Sequence, residues 1–149
     1  MIYISFLVAL FFSFQEGLFS EQSSIYKFPE TFSFGTATSA HQVEGNNYHN
    51  DWWKWENSKH FISIIKDKSL GACDSINRYQ EDFLLMKKLG LKSYRFSIEW
   101  SRIEPERDKV DYKALELYRE MLLTLKKQGI KPSVTLVHFT LPEWLTDFK

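Results

Sequence analysis

A chain of 149 residues, 44% of them apolar and 17% aromatic, reads as globular and long enough for one core. Nineteen Lys and Arg balance nineteen Asp and Glu, so no summed field draws in nucleic acid or an anionic membrane, and a small neutral partner suits the chain better. The single Cys73 excludes an internal disulfide, and four scattered His leave no ligand set for a structural zinc, so neither metal nor cofactor is expected.

In chain order, Ile2 to Phe14 is apolar except for Ser5 and Ser13. At that length it falls short of the roughly 20 apolar residues a membrane-spanning helix needs, and it reads as the core of a secretory signal. No Lys or Arg precedes it, and Gly17 to Ser20 is the nearest approach to a cleavage site. Residues 1–20 are therefore expected to be a signal-like leader, 21–26 a linker, and 27–149 the folded part; a genuine signal peptide implies a secreted or extracytoplasmic protein, and the alternatives are an uncleaved anchor or an irregular N-terminus with a cytoplasmic location. Phe32, Phe34, Thr36, Ala37 and Thr38 then read as a short buried strand, with Gly35 admitting a neighbouring backbone, running into a Gln42-Val43-Glu44-Gly45 turn. Asn46 to Ala72 is too long for an ordinary connection, so it is functional or carries short helices.

The spacing of Ile76, Tyr79, Phe83 and Met86 predicts a helix over 75–89, capped by Asp74 or Ser75 and stopped by Gly90. Tyr94 to Trp100 reads as a strand, followed by a long turn around Pro105. A second helix is predicted from Tyr112 to Gln128, capped by Asp111, stopped by Gly129, with Leu115, Tyr118, Met121, Leu122 and Leu125 on its buried face. Ser133 to Phe139 is the third strand, its unbroken apolar run fitting burial on both faces.

KKLGLKSYRFSIEW from Lys87 and KKQGIKPSVTLVHF from Lys126 align without a gap at an offset of thirty-nine, pairing Gly90 with Gly129 and Glu99 with His138. A helix–strand unit is thus repeated. Strands separated by helices pair in parallel with right-handed crossovers, which leaves a doubly wound sheet or a (β/α)8 barrel. No glycine-rich turn leads into the first helix, and the barrel is favoured: an α/β fold of which three strands and two helices are visible. Without further strands the third would present an unpaired edge of buried-type sequence.

In either architecture a ligand binds at the carboxyl ends of the strands. Gln42 with Glu44, Glu99 with Trp100, and His138 with Phe139 fall there. Amide, imidazole and indole groups suit a polyhydroxylated ligand, offering donors and acceptors to hydroxyls and a flat surface to a sugar ring. Each also has a plainer reading. Gln42 could cap a turn, and His138 could be a satisfied core histidine. Arg95 shares strand parity with Glu99, and a buried Arg calls for a carboxylate partner, either structural or catalytic. Trp52, Trp53 and Trp55 fit loop packing better than sugar stacking.

FSFGTATSAHQVEG, CDSINRYQEDFLLMKKLGLKSYRFSIEWSRIEP and HFTLPEWL, in that order, resemble glycoside hydrolase family 1, the β-glucosidase and β-galactosidase family. The resemblance implies a retaining β-glycosidase whose substrate is a small β-glycoside. Gln42 resembles the glutamine that binds hydroxyls of the terminal sugar, His138 the histidine beside it, and Arg95 the arginine that orients the nucleophile. Asn77 stands where the family often has His, a change not expected to disturb the site. The family's acid/base, in an Asn-Glu-Pro motif, and its nucleophile, in a Glu-Asn-Gly motif, are expected beyond Lys149. These residues alone should be inactive, and neither Glu44 nor Glu99 is assigned to catalysis. The alternative is a non-catalytic truncated homologue that serves as a sugar-binding or interaction protein.

Overall fold

The structure, a computed structural model, describes residues 26–64 and 67–146. The predicted leader and the linker up to residue 25 lie outside the described residues. Two compact units are present, Met1–Phe32 and Ser33–Lys149. In the first, the described residues form a turn in which the Phe32 amide donates to the Pro29 carbonyl at 2.9 Å and the Phe28 and Phe32 rings meet at 4.6 Å. The rest concerns the second.

Its elements are β1 (Gly35–Ala37), α1 (Ala40–Val43), α2 (Asp51–Glu56), α3 (Lys59–Ile64), α4 (Ser75–Lys88), β2 (Ser93–Ser97), α5 (Trp100–Ile103), α6 (Tyr112–Gln128), β3 (Lys131–Thr135) and α7 (Glu143–Thr146). The strands form one parallel sheet in the order β1-β2-β3, with Gly35 opposite Ser93 and Ser93 opposite Lys131. The long segment after β1 carries two short helices, α2 and α3. No helix among the described residues is long and apolar enough to cross a membrane.

The two long helices follow their sequence signals closely. Asp111 caps α6 by accepting from the Lys113 and Ala114 amides. Asp74 occupies the cap position of α4 with a left-handed φ of 53°, and its carboxylate accepts from the Asn77 side chain instead of a backbone amide. Both helices stop in the same way. Gly90 and Gly129 are left-handed, and the Leu91 and Ile130 amides each reach back 3.0 Å to the carbonyls of Met86 and Leu125. A residue without Cβ adopts this conformation freely and closes the last turn. The repeat therefore has a structural basis. The repeat aligns Ser93 with Pro132, whereas the sheet places Ser93 opposite Lys131. β3 is thus offset by one residue from β2 relative to the repeat, the average slip per strand that a shear of eight requires in an eight-stranded barrel.

The core lies between the sheet and these helices: Ile76, Tyr79 and Phe83 of α4, Tyr94 and Phe96 of β2, Tyr118, Met121 and Leu125 of α6, and Ile130. Alternation sends Tyr94 and Phe96 to the helices and leaves Arg95 and Ser97 for the opposite face.

Several predicted boundaries and burials differ. The first strand is only three residues long, and Phe34 before it is half exposed. β1 is hydrogen-bonded to β2 alone among the described residues, so its side chains are not sandwiched. Gly35 does meet a neighbouring backbone, since a Cβ there would lie 2.5 Å from the Ser93 carbonyl oxygen. The turn at Gln42 is the helical turn α1. The second strand ends at Ser97, and Trp100 opens α5. The third runs from Lys131 to Thr135, and Leu136, Val137 and Phe139 are more than half exposed instead of buried. β3 pairs only with β2, so its second edge is open among the described residues, as an edge strand of buried-type sequence would be. On α6, Ala114 is buried and Leu115 is 45% exposed. The repeat places Leu115 and Leu122 where α4 has Ile76 and Phe83, which α6 covers. Leu115 and Leu122 instead line an open groove with Ile98, Ile103, Val134 and Leu136.

Truncating Phe83, 1% exposed, to Ala should lower stability by about 3–5 kcal/mol, and Leu84→Ala, half exposed beside it, by well under ~1 kcal/mol; urea unfolding of both variants checks the assigned face. Gly129→Ala, in open space at φ 75°, should cost about 1–2 kcal/mol, and Gly35→Ala more, because its methyl meets the Ser93 backbone. Equal midpoints for these two would contradict the close approach of β1 and β2.

Candidate functional site

The carboxyl ends of the three strands are tied together by polar contacts. The segment after β1 is the hub: the Thr38 hydroxyl and the Tyr94 phenol share a hydrogen bond of 2.6 Å, the Ala40 amide donates to Ser97 Oγ at 2.7 Å, and the Thr38 amide donates to the Arg95 carbonyl. Arg95 projects from the middle of β2 on the face away from the helices. Its Nη1 donates to the Thr38 carbonyl at 3.4 Å and to His138 Nδ1 at 3.3 Å. A guanidinium has only donors, so Nδ1 of His138 is the acceptor, and the neutral ring carries its proton on Nε2. Arg95 and His138, predicted from different strands, are thereby brought together. No carboxylate pairs with Arg95 among the described residues. Its partners among the described residues are a carbonyl and an imidazole.

Gln42 lies on α1 at the same end of the sheet with its side chain exposed, its amide oxygen accepting from Ser39 Oγ. Among the described residues no hydrogen bond joins Gln42 to Arg95 or His138.

The two carboxylates near the strand ends are both engaged. Glu44, 3% exposed, accepts from the Tyr118 hydroxyl at 2.7 Å on one oxygen, and from Arg102 Nε at 3.1 Å and Asn47 on the other. Burial pushes its pKa up, opposed by the Arg102 charge and by the Tyr118 and Asn47 hydrogen bonds. Burial and the adjacent Glu44 together raise the Tyr118 phenol well above its ordinary value. Glu99, fully buried, accepts from Ser101 Oγ at 2.8 Å and Thr140 Oγ1 at 3.0 Å, and its amide donates to the Tyr118 hydroxyl. All four carboxylate oxygens have donors inside the protein. Both carboxylates are thus built into the polar network that joins the strand ends.

The segment around Trp52 supplies the outer wall. Trp52 stacks on Phe139 at 6.1 Å and meets the edge of His41 at 5.6 Å. Trp53 packs on Tyr48, and Trp55 on Phe61. All three pack as loop residues, and Trp52 does so next to His138. Beneath it lies a polar cluster that sequence reasoning missed. Asn50 caps α2 through its Oδ1 and donates from Nδ2 to His41 Nδ1 at 2.9 Å, so the His41 proton sits on Nε2, which faces Glu56 at 3.0 Å. Although burial alone would raise Glu56, the Ser69 amide, His41 and the Ser69 hydroxyl hold it below the usual carboxylate value. Asp51 and Leu141 exchange two hydrogen bonds of 2.9 Å, fastening α2 to the chain beyond His138. A run of Asn, Asp, Trp and Glu was the only visible signal of this cluster, because its partners lie up to ninety positions away. Among the described residues no group of three His, Cys, Asp or Glu could hold a metal ion.

Residues 24–149 match the family model described as Glycosyl hydrolase family 1. Beta-glucosidase A of Acetivibrio thermocellus is 43% identical over 126 residues, covering 80% of this chain and 28% of that protein. Coniferin beta-glucosidase of Pinus contorta is 46% identical over 125 residues, covering 80% of this chain and 24% of its own length. Among solved structures, a beta-glycosidase from Pyrococcus horikoshii superposes with a TM-score of 0.73 at 50% identity, over 80% of this chain and 27% of that one. The family 1 β-glucosidase from Thermotoga maritima gives 0.74 at 39% identity, over 80% of this chain and 28% of that one, and has been solved with a methoxycarbonyl-substituted glucoimidazole and with cyclophellitol. The chain thus spans about a quarter of the length of these relatives, and its three-stranded parallel sheet with flanking helices is part of their barrel architecture. On the match over residues 24–149, the chain belongs to glycosyl hydrolase family 1.

Proposed function

We propose that the chain supplies part of the sugar-binding wall of a retaining β-glycosidase that hydrolyses β-glucosides or β-galactosides. The observation that carries this reading is Arg95, which from β2 reaches both the end of β1 at Thr38 and His138 beyond β3. It gathers donors at the end of the sheet where parallel α/β enzymes bind substrate. The exposed amide of Gln42 donates to hydroxyls of the terminal sugar, and His138 Nε2–H donates to a neighbouring hydroxyl. Arg95, always charged, orients and keeps ionised the carboxylate that acts as nucleophile. Retaining hydrolysis needs two carboxyl groups about 5–5.5 Å apart, one attacking and one serving as acid and then base. Glu44 and Glu99, whose oxygens accept hydrogen bonds within the polar network, are not assigned to that pair, and both catalytic groups are expected beyond Lys149. The apolar run of residues 2–14 supports export from the cytoplasm.

The purified 149-residue chain should therefore show no turnover of an aryl β-glucoside above the uncatalysed rate; measurable hydrolysis would place a catalytic pair among Glu44, Glu99 and their neighbours. The same chain should bind the glucoimidazole found in the Thermotoga maritima complex. Gln42→Ala should weaken that binding by about tenfold through loss of a hydrogen bond, and Leu84→Ala should leave it unchanged, as read by calorimetric titration.

A further inference from the structure

Phe139 has a φ of 70°, and the Thr140 amide donates to the His138 carbonyl at 3.0 Å. A hydrogen bond spanning three residues with a positive central φ is a γ-turn of the rare, strained hand. For an aromatic residue that backbone is an outlier that persists only when its surroundings enforce it. Those surroundings are on the far side of Thr140. The Thr140 side chain, 6% exposed, donates to Glu99 Oε2 at 3.0 Å, while the other Glu99 oxygen is held by Ser101. The backbone of Glu99 is in turn fixed by the Tyr118 hydroxyl. The next residue, Leu141, is fastened to Asp51, and the Phe139 ring stacks on Trp52 and meets the His138 ring nearly perpendicularly at 4.9 Å. The turn is thus clamped from the sheet by a buried carboxylate and from the outside by α2.

We propose that Glu99 is a positioning residue: acting through Thr140, it holds the strained turn at Phe139 that delivers the His138 imidazole to Arg95. It touches no substrate itself. This accounts for a carboxylate at a fully buried position whose donors are two hydroxyls. The sugar contact of His138 is the reading given above, and this role rests on it; the placement of the ring does not.

The test uses the full chain with 15N-labelled histidine, reading the imidazole signals of the four histidines. Thr140→Val, which keeps the shape but removes the donor, should displace the His138 signals and leave those of His60 on α3 in place; Thr140→Ser, which restores the hydroxyl, should return them. Unmoved His138 signals in Thr140→Val would overturn the proposal. Should that variant fail to fold, Glu99→Asp carries the same decision, because it keeps the carboxyl group and withdraws it by one methylene: a displaced His138 supports the role, an unmoved one refutes it. Glucoimidazole binding is measured alongside. If the unaltered chain binds it, Thr140→Val should weaken binding about tenfold, with Thr140→Ser close to the parent. If the unaltered chain does not bind it, the sugar-binding reading falls, and the His138 signals still decide whether Glu99 sets the turn.

Discussion

The constraint on which this structure depends is that β2 is paired along both edges and packed on one face. Tyr94 and Phe96 go to the helices, where Phe83, Tyr118 and Leu125 close over them. The same alternation sends Arg95 and Ser97 to the other face, and those two side chains reach the residues after β1. Packing and site geometry are therefore set by one strand. A slip of β2 by one residue would bury a guanidinium against the helices and expose two aromatic rings, so the register is strongly specified.

Above the strand the structure is polar and buried, and its hydrogen bonds are filled. Tyr118 is the link between the layers: its ring is part of the core, while its hydroxyl donates to Glu44 and accepts from the Glu99 amide. Arg102 brings Gly45 and Asn47 to the same cluster. In a site of low dielectric an unsatisfied group is costly and a satisfied network is stiff, so these contacts fix the loops that carry Gln42 and His138. Preordered contacts of this kind lower the ordering cost of any group that binds at this end of the sheet.

The open faces are the counterpart of this order. The groove beside Leu115 and the free edge of β3 carry residues of the same kind as those buried one repeat earlier. Local pattern predicts them as interior, and they are exposed only because no described element covers them. Their sequence is consistent with the stagger of the sheet, which is that of a much larger closed barrel.

The two long helices, their caps and stops, the parallel order of the strands and the repeat were legible in the sequence, because hydrophobic periodicity and left-handed glycines act over a few residues. Gln42, Arg95 and His138 were legible as candidates because strand ends can be counted. Their contacts were not. That Arg95 meets Thr38 and His138, how the tryptophans pack, that His41 belongs with Asn50 and Glu56, and that Thr140 is held by Glu99 all depend on residues brought together from five to ninety positions apart. The strand limits were misjudged for a related reason: an apolar run says that a segment can be buried, not where its hydrogen bonds stop. Sequence alone determined the family and the alternation of helix and strand, since both reside in local order. Only the tertiary structure decided which polar groups are occupied and which face outward, because that depends on distances between segments that no local pattern encodes.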